Sequence, residues 1–157
     1  MDKILTTEQA IQQAKKLNKE GKRVVLAGGC FDILHIGHIT FLEHAKTAGD
    51  SLFVFVENDA TIKKTKGESR PINIQKDRTN ILSHLDIVDV VIPLPANFDY
   101  DKLVIHIKPA IIATTKGDVN RSHKERQAKH IGAQVIDVTT PISNKSTSKI
   151  ITLFNEL

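Results

Sequence analysis

Residues 24–38 read VVLAGGCFDILHIGH and predict the central unit of the fold. The apolar run at residues 24–27 is typical of a short buried strand, and two glycines follow it directly. Beyond the run, apolar residues recur at helical spacing, and Gly49 is a natural end for the helix. These residues are Ile39, Leu42, Ala45 and Ala48. The stretch therefore predicts a strand, a glycine-rich loop and a helix in succession.

The rest of the chain repeats the alternation of strand and helix. Thr6 with Gln9 is a capping-box signature for a first helix. Further apolar strands are predicted at residues 52–56, 88–92, 110–113 and 134–138, with helical patterns between them. Residues 58–73 are polar and basic and predict a long loop that contains a short helical piece. Unbroken apolar strands alternating with helices indicate an α/β fold, a Rossmann-like doubly wound parallel sheet of about five strands with helices on both faces. We expect a single domain over residues 1–157, in which an N-terminal helix (1–22) precedes the core (23–157).

Composition excludes several classes of protein. The chain is 40% hydrophobic and 25% charged, and it has no apolar run of the roughly 20 residues that a membrane span requires. The N-terminus does not resemble a secretion signal, and a lone cysteine fits a reducing compartment, so we expect a cytoplasmic protein. The net charge of +4 is mild and only 4% of residues are aromatic. We therefore expect neither a membrane nor a nucleic-acid partner.

The loop after the first strand has the features of a phosphate-binding site. Gly28 and Gly29 allow a ligand to approach the backbone, and the following helix start offers unpaired N–H groups to an anion. His35 and His38 lie three residues apart, which places both imidazoles on one side of the first turn. Zinc is a competing interpretation with Cys30 as a third ligand, but the nearby sequence lacks a fourth, and we predict no protein-held metal.

The run from Gly29 to His38 resembles the H-x-G-H signature of the nucleotidyltransferase superfamily. It is most similar to the cytidylyltransferase-like group, which includes the heptose-1-phosphate adenylyltransferase of ADP-heptose synthesis and glycerol-3-phosphate cytidylyltransferase. The resemblance implies that His35 and His38 contact the nucleotide phosphates and stabilise the transferring group. It also implies nucleotide contacts from the loop, at Gly29, Cys30, Phe31 and Gly37.

The basic segment after the second strand supplies a third catalytic candidate. Residues 66–71 read KGESRP and resemble the heptose-phosphate group, which gives Lys66 a catalytic role on a loop that closes over phosphorylated reactants. Arg78 matches the arginine that opens the next helix in the family and is a predicted nucleotide contact.

Two later motifs extend the resemblance. Asp118 lies in a turn like the family's G-G-D, and the resemblance implies a nucleotide contact in which it accepts from a ribose hydroxyl. Lys116 and Val119 depart from the pattern. The triplet Ser146, Thr147 and Ser148 matches a family motif that binds the β- and γ-phosphates at the start of the last helix. The segment before it, residues 141–145, lacks the cytidylyltransferases' arginine and favours the heptose-phosphate side.

The predicted activity is transfer of a nucleotidyl group from an NTP, with ATP favoured, to a phosphorylated small molecule such as heptose 1-phosphate. Mg²⁺ is expected with the NTP, and a homodimer is the expected assembly. One alternative is a cytidylyltransferase acting on glycerol 3-phosphate or another polyol phosphate. A second is a non-catalytic nucleotide-binding protein of the same fold.

Overall fold

The computed structural model describes residues 2–143 and 145–156; Met1, Asn144 and Leu157 lie outside the described residues. Within them, a five-stranded sheet is built from β1 (Val24–Gly29), β2 (Ser51–Val56), β3 (Val90–Pro93), β4 (Ile111–Thr115) and β5 (Gln134–Thr139). The helices are α1 (Thr7–Lys19), α2 (Ile36–Thr47), α3 (Asp59–Lys66), α4 (Gln75–Ser83), α5 (Tyr100–Ile107), α6 (Arg121–Ile131) and α7 (Thr147–Asn155).

All strand pairs in the sheet are parallel, and their order is β3-β2-β1-β4-β5. The chain runs outward from β1 through β2 to β3, then returns to the other side of β1 at β4. Strand order therefore reverses between β1 and β4. In such sheets, ligands bind beyond the carboxyl ends of the strands at this reversal.

Two separate cores flank the sheet. Successive residues of β1 alternate between them: Val24 packs in the core with α1, α5 and α6, whereas Val25 packs in the core with α2 and α4. Because both faces are covered, every residue of β2 from Ser51 to Val56 is buried. This explains why the strands appear in the sequence as continuous apolar runs rather than alternating ones.

The predicted fold class is confirmed, and the capping box of Thr6 and Gln9 is present as expected. The long loop predicted over residues 58–73 contains the expected short helical piece, which is α3 and occupies its first half. Asn58 caps that helix by accepting from the Ala60 amide, and Ile62 is its buried residue. One feature was not predicted: Ile4 forms a parallel bridge to Val91 beside the edge strand β3. None of the described helices is long and apolar enough to cross a membrane.

Candidate active site

The two histidines of the loop after β1 lie face to face at the start of α2. Their ring centroids are 3.8 Å apart with an interplanar angle of 28°. His35 is the N-cap residue, and its Nδ1 accepts a hydrogen bond from the Gly37 amide at 3.1 Å. An acceptor Nδ1 requires that the neutral ring carry its proton on Nε2, so His35 keeps one N–H donor for a ligand.

Burial keeps this pair uncharged at neutral pH. It lowers the pKa of His35, and it lowers the pKa of His38 to about 4, with the charges of His35 and Lys66 adding to the effect. The Nδ1 atom of His38 is buried and has no hydrogen-bond partner among the described residues. A neutral imidazole can donate one hydrogen bond to a phosphate oxygen, and a nearby anion would favour its protonation.

The glycines of the loop serve different purposes. A Cβ on Gly37 would lie 3.0 Å from the His35 ring, so the missing side chain lets that ring fold over the helix start. The proposed ligand approach at Gly28 is wrong, because a Cβ there would lie 1.7 Å from the Phe55 ring; Gly28 makes room for core packing. A Cβ on Gly29 would lie 3.4 Å from the Phe31 ring, which is an ordinary contact distance. Phe31 itself is buried with a φ of 48°, an uncommon backbone conformation of the kind found at functional sites.

Arg78 is buried and connects the loop after β1 to the loop after β2. Its side chain is fully buried, and it donates to the backbone carbonyls of Cys30, Glu57 and Asn73 and to the Asp59 carboxylate. Every guanidinium nitrogen is thus engaged by protein. The predicted direct nucleotide contact is therefore corrected to a positioning role, in which Arg78 ties the loop after β1 to the end of β2.

Cys30 is a protonated thiol in this structure. Its Sγ donates to Glu57 Oε2 at 3.1 Å, and burial, followed by the Glu57 charge, raises its pKa to about 11. A thiol with so high a pKa is a poor nucleophile at neutral pH. Covalent catalysis through Cys30 is therefore not what this arrangement supports.

Lys66 reaches the same place from the last turn of α3. It is exposed, yet its ammonium group is close enough to lower the pKa of both Cys30 and His38. The prediction that Lys66 lies on a mobile loop is wrong, since it is helical and the chain turns at Gly67 behind it. The structure nevertheless brings it beside the histidine pair.

A buried ion pair, which sequence reasoning did not single out, connects the loop after β1 to the start of α7. Arg70 Nε donates to Asp32 Oδ2 at 2.7 Å, and Arg70 Nη1 lies 3.5 Å from Ser148 Oγ. Burial raises the pKa of Asp32, but the amides of Asn73 and Ile72 and the Arg70 guanidinium together hold it below its usual value. Asp32 is therefore a permanent anion that fixes the Arg70 side chain.

The triplet before and within α7 lies as predicted at a helix start. Ser146 is the N-cap and accepts from the Lys149 amide, while the Thr147 hydroxyl donates to the Ile33 carbonyl at 3.1 Å. The start of α7 is thereby attached to the loop that carries His35. The N-termini of α2 and α7 therefore lie close together, and both favour anions.

Asp118 occupies a separate cluster at the carboxyl end of β4. It accepts from Lys124 Nζ and from Thr114 Oγ1, both at 2.6 Å. Burial raises the pKa of this carboxyl, but Lys124 and Thr114 more than offset that and lower it. No contact within the described part of the chain joins Asp118 to the histidine pair, so its predicted role in nucleotide binding stays a prediction.

The assembled groups are suited to holding a polyanion. Donors and cations come from the loop after β1, from the end of α3 and from the start of α7, and burial of the histidines keeps them as neutral donors. In residues 2–143 and 145–156, no group of three His, Cys, Asp or Glu side chains could hold a metal ion. A surface cavity of about 690 Å³ lies elsewhere, between α1 and the start of β3, and contains none of these residues.

Comparison with known proteins agrees with this geometry. Residues 26–153 match the family described as cytidylyltransferase-like. The chain belongs to that family. It is thus a member of a family of nucleotidyltransferases, as the H-x-G-H signature predicted.

The relatives of this cytidylyltransferase-like chain are longer proteins. It is 45% identical over 109 residues to the bifunctional protein HldE of Aliarcobacter butzleri (strain RM4018), which covers 69% of this chain and 23% of that protein. It is 37% identical over 143 residues to the HldE of Campylobacter fetus subsp. fetus (strain 82-40), covering 87% of this chain and 30% of that one. The chain therefore spans less than a third of these proteins.

Two solved structures share the fold. The lipopolysaccharide core biosynthesis protein from Thermoplasma volcanium GSS1 superposes with a TM-score of 0.65 at 32% identity, covering 80% of this chain and all of that one. Pantoate-beta-alanine ligase from Francisella tularensis superposes with a TM-score of 0.61 at 17% identity, covering 92% of this chain and 68% of that one. The second likeness concerns the fold alone.

Proposed function

We propose that this chain is a single nucleotidyltransferase domain that transfers the adenylyl group of ATP to a sugar phosphate, with heptose 1-phosphate as the leading acceptor. The observation that carries the proposal is the stacked pair of His35 and His38 beside the start of α7. Support for the acceptor comes from the HldE relatives and from the resemblance of residues 66–71 to the heptose-phosphate group.

The proposed reaction is attack of an anionic acceptor phosphate on ATP at this positively charged site. An oxygen of the acceptor phosphate attacks the α-phosphorus of ATP, a new P–O bond forms, and the bond from the α-phosphorus to the β-bridging oxygen breaks. The electron pair leaves with pyrophosphate. Because a phosphate monoester is already anionic, the attack needs no strong general base, and catalysis rests on positioning and charge stabilisation.

Each residue then has a distinct task. His35 donates from Nε2 and His38 donates beside it to oxygens of the transferring group. Lys66 supplies a compact positive charge next to the pair. Arg78, whose donors all bind protein groups, holds the backbone of Cys30 in place. The N-terminus of α7 receives the phosphates that leave.

Mg²⁺ enters the proposal as a companion of the triphosphate. The described residues offer no cluster for an all-protein site, but Mg²⁺ commonly binds through substrate phosphates, its own waters and one or two carboxylates. We propose Glu57, which lies beside Cys30 just after β2, as one such carboxylate. The ion would neutralise charge on the phosphates.

Two further expectations belong to the same proposal. The free Cys30 thiol is compatible with a reducing compartment, so we place the activity in the cytoplasm. A homodimer is proposed as the assembly, and the molar mass in solution by light scattering tests it.

A cytidylyltransferase acting on glycerol 3-phosphate or another polyol phosphate is the second candidate, favoured by the family to which the chain belongs. One matrix of assays separates the candidates. ATP and CTP are each combined with heptose 1-phosphate, with glycerol 3-phosphate or with no acceptor, and pyrophosphate release is followed. The proposal predicts the highest kcat/KM for ATP with heptose 1-phosphate.

A matched pair of variants tests whether the pyrophosphate release comes from the histidine pair. His38→Ala is expected to abolish most of the release, whereas His106→Ala, on the exposed face of α5, is expected to leave it unchanged. Preference for CTP with glycerol 3-phosphate would replace the first candidate by the second. ATP binding without pyrophosphate release from any pair would leave only a non-catalytic nucleotide-binding protein.

A further inference from the structure

The Arg70 side chain is buried but incompletely bonded. Only 7% of it is exposed, Nε donates to Asp32 and Nη1 approaches Ser148. The third nitrogen, Nη2, is buried and has no hydrogen-bond partner among residues 2–143 and 145–156. A buried guanidinium donor without a partner is costly, and native structures rarely keep one without a reason.

The direction of this guanidinium is fixed from both sides. Asp32, charged and held by the amides of Ile72 and Asn73, accepts from Nε and so sets the plane of the group. Ser148 lies in the first turn of α7, where backbone N–H groups and the helix dipole favour an anion. Because Nη1 approaches Ser148 Oγ, the guanidinium lies beside the first turn of α7.

Arg70 and Lys66 are consequently not equivalent cations. The charge of Lys66 acts on His38 and Cys30, beside the start of α2. Arg70 contacts the loop after β1 through Asp32 and the start of α7 through Ser148. A planar fork with a spare donor suits phosphate oxygens better than an ammonium group does.

We propose that Arg70 is a phosphate-binding residue, whose incompletely bonded guanidinium binds the phosphates that leave as pyrophosphate and holds them against α7. This assignment rests on the proposed nucleotidyl transfer and deepens it. Asp32 acts as the positioning residue that presents the guanidinium. The acceptor phosphate is the other source of the same oxyanion, and the test separates the two.

The test is calorimetric binding of inorganic pyrophosphate, and separately of heptose 1-phosphate, to the whole chain. Arg70→Lys keeps a cation for Asp32 but removes the spare donor. We expect its Kd for pyrophosphate to rise by about 10- to 100-fold, the usual effect of losing one charge-assisted hydrogen bond. The Kd for heptose 1-phosphate should change less than about threefold. Arg126→Lys, an exposed position on α6, is the matched control and should change neither.

A second measurement needs no stable variant for its main result. In the wild-type protein, the arginine side-chain N–H resonances are recorded by NMR with and without pyrophosphate. One arginine resonance should shift when pyrophosphate is added, and it should be the resonance that is missing from the Arg70→Lys spectrum. If Arg70→Lys does not fold, a shift confined to the resonances of Arg126 or Arg121 overturns the proposal.

The remaining outcomes are decisive as well. Unchanged pyrophosphate affinity in folded Arg70→Lys overturns the proposal, and weaker binding of heptose 1-phosphate alone overturns the assignment to the leaving phosphates. Failure of the proposed function gives a different pattern. Pyrophosphate binding would then still depend on Arg70, although ATP and heptose 1-phosphate gave no product.

Discussion

His35 and His38 stack with their ring centroids 3.8 Å apart, and this contact defines the proposed reaction centre. The rings share the start of α2, where Nδ1 of His35 accepts from the Gly37 amide. Because burial lowers the pKa of both histidines, the pair meets a ligand as neutral donors rather than as two cations that repel each other. The donors are in place before the phosphoryl charge develops.

Replacing His38 with alanine should lower kcat by about 10²–10³, the usual cost of losing one preorganised donor to developing charge. The loss should appear in kcat and kcat/KM together, because the contact matters most in the transition state. Steady-state pyrophosphate release measures it. A purified His38→Ala protein with the wild-type thermal unfolding curve and an unaltered rate would remove His38 from catalysis.

The lowered pKa of His38 predicts a pH dependence of stability. The unfolded chain binds a proton at this residue near pH 6.5, whereas the folded chain does so only near pH 4. Between these values the unfolded state binds more protons, so the contribution of His38 is present above pH 6.5 and is lost as the pH falls towards 4. The loss amounts to about 3 kcal/mol at most.

The difference between wild type and His38→Gln isolates this contribution from the carboxylates that titrate in the same range. Urea unfolding of both proteins between pH 4 and 7 is the measurement. The wild type should lose more free energy of unfolding than the variant on acidification. If the free energy of unfolding fell by the same amount with pH in both proteins, the pKa of His38 would not be lowered by folding.

Lys66→Ala should lower kcat and kcat/KM by similar factors, on the order of 10²-fold, because its charge lies beside the group that gains charge during transfer. Lys64→Ala is the control, since Lys64 lies on the same helix and carries the same charge. Initial rates over a range of ATP concentrations compare the two. Equal losses in both variants would mean that Lys66 contributes only to the general positive charge of the site.

Arg78→Ala should destabilise the fold by about 3 kcal/mol or more, because three backbone carbonyls and the Asp59 carboxylate would lose their buried donor. Arg126→Ala, on the surface, should stay within about 0.5 kcal/mol of wild type. Urea unfolding reports both values. An Arg78→Ala protein of normal stability whose KM for ATP alone had risen would restore the direct nucleotide contact.

The fold was predictable because its signal is local. Both faces of the sheet are covered, so β2 and its neighbours are plain apolar runs that periodicity detects. The bounds of α3 were not predictable from periodicity, because Ile62 is its one buried residue and leaves no apolar stripe to detect. Its remaining signal was Asn58, a good N-cap residue just before it.

The histidine pair and the Ser146 triplet were predictable for the same reason, since each is a short motif at a helix start. The Asp32–Arg70 pair was not, because its partners lie 38 residues apart in sequence. Arg78 was predicted as a nucleotide contact from its match to the family's arginine. Its burial was not predictable, because the carbonyls of Cys30 and Glu57 that accept from it lie on other loops.

The central claim is that an acceptor phosphate attacks the α-phosphorus of ATP, and the identity of the products tests it most directly. ATP, Mg²⁺ and heptose 1-phosphate are incubated with the protein and followed by ³¹P NMR and mass spectrometry. We predict one sugar nucleotide with an adenosine diphosphate bridge and one pyrophosphate for each ATP consumed, and formation of both products slowed by about 10²–10³ in His38→Ala. Formation of ADP and a phosphorylated sugar, or of AMP without a sugar nucleotide, would contradict attack at the α-phosphorus by the acceptor.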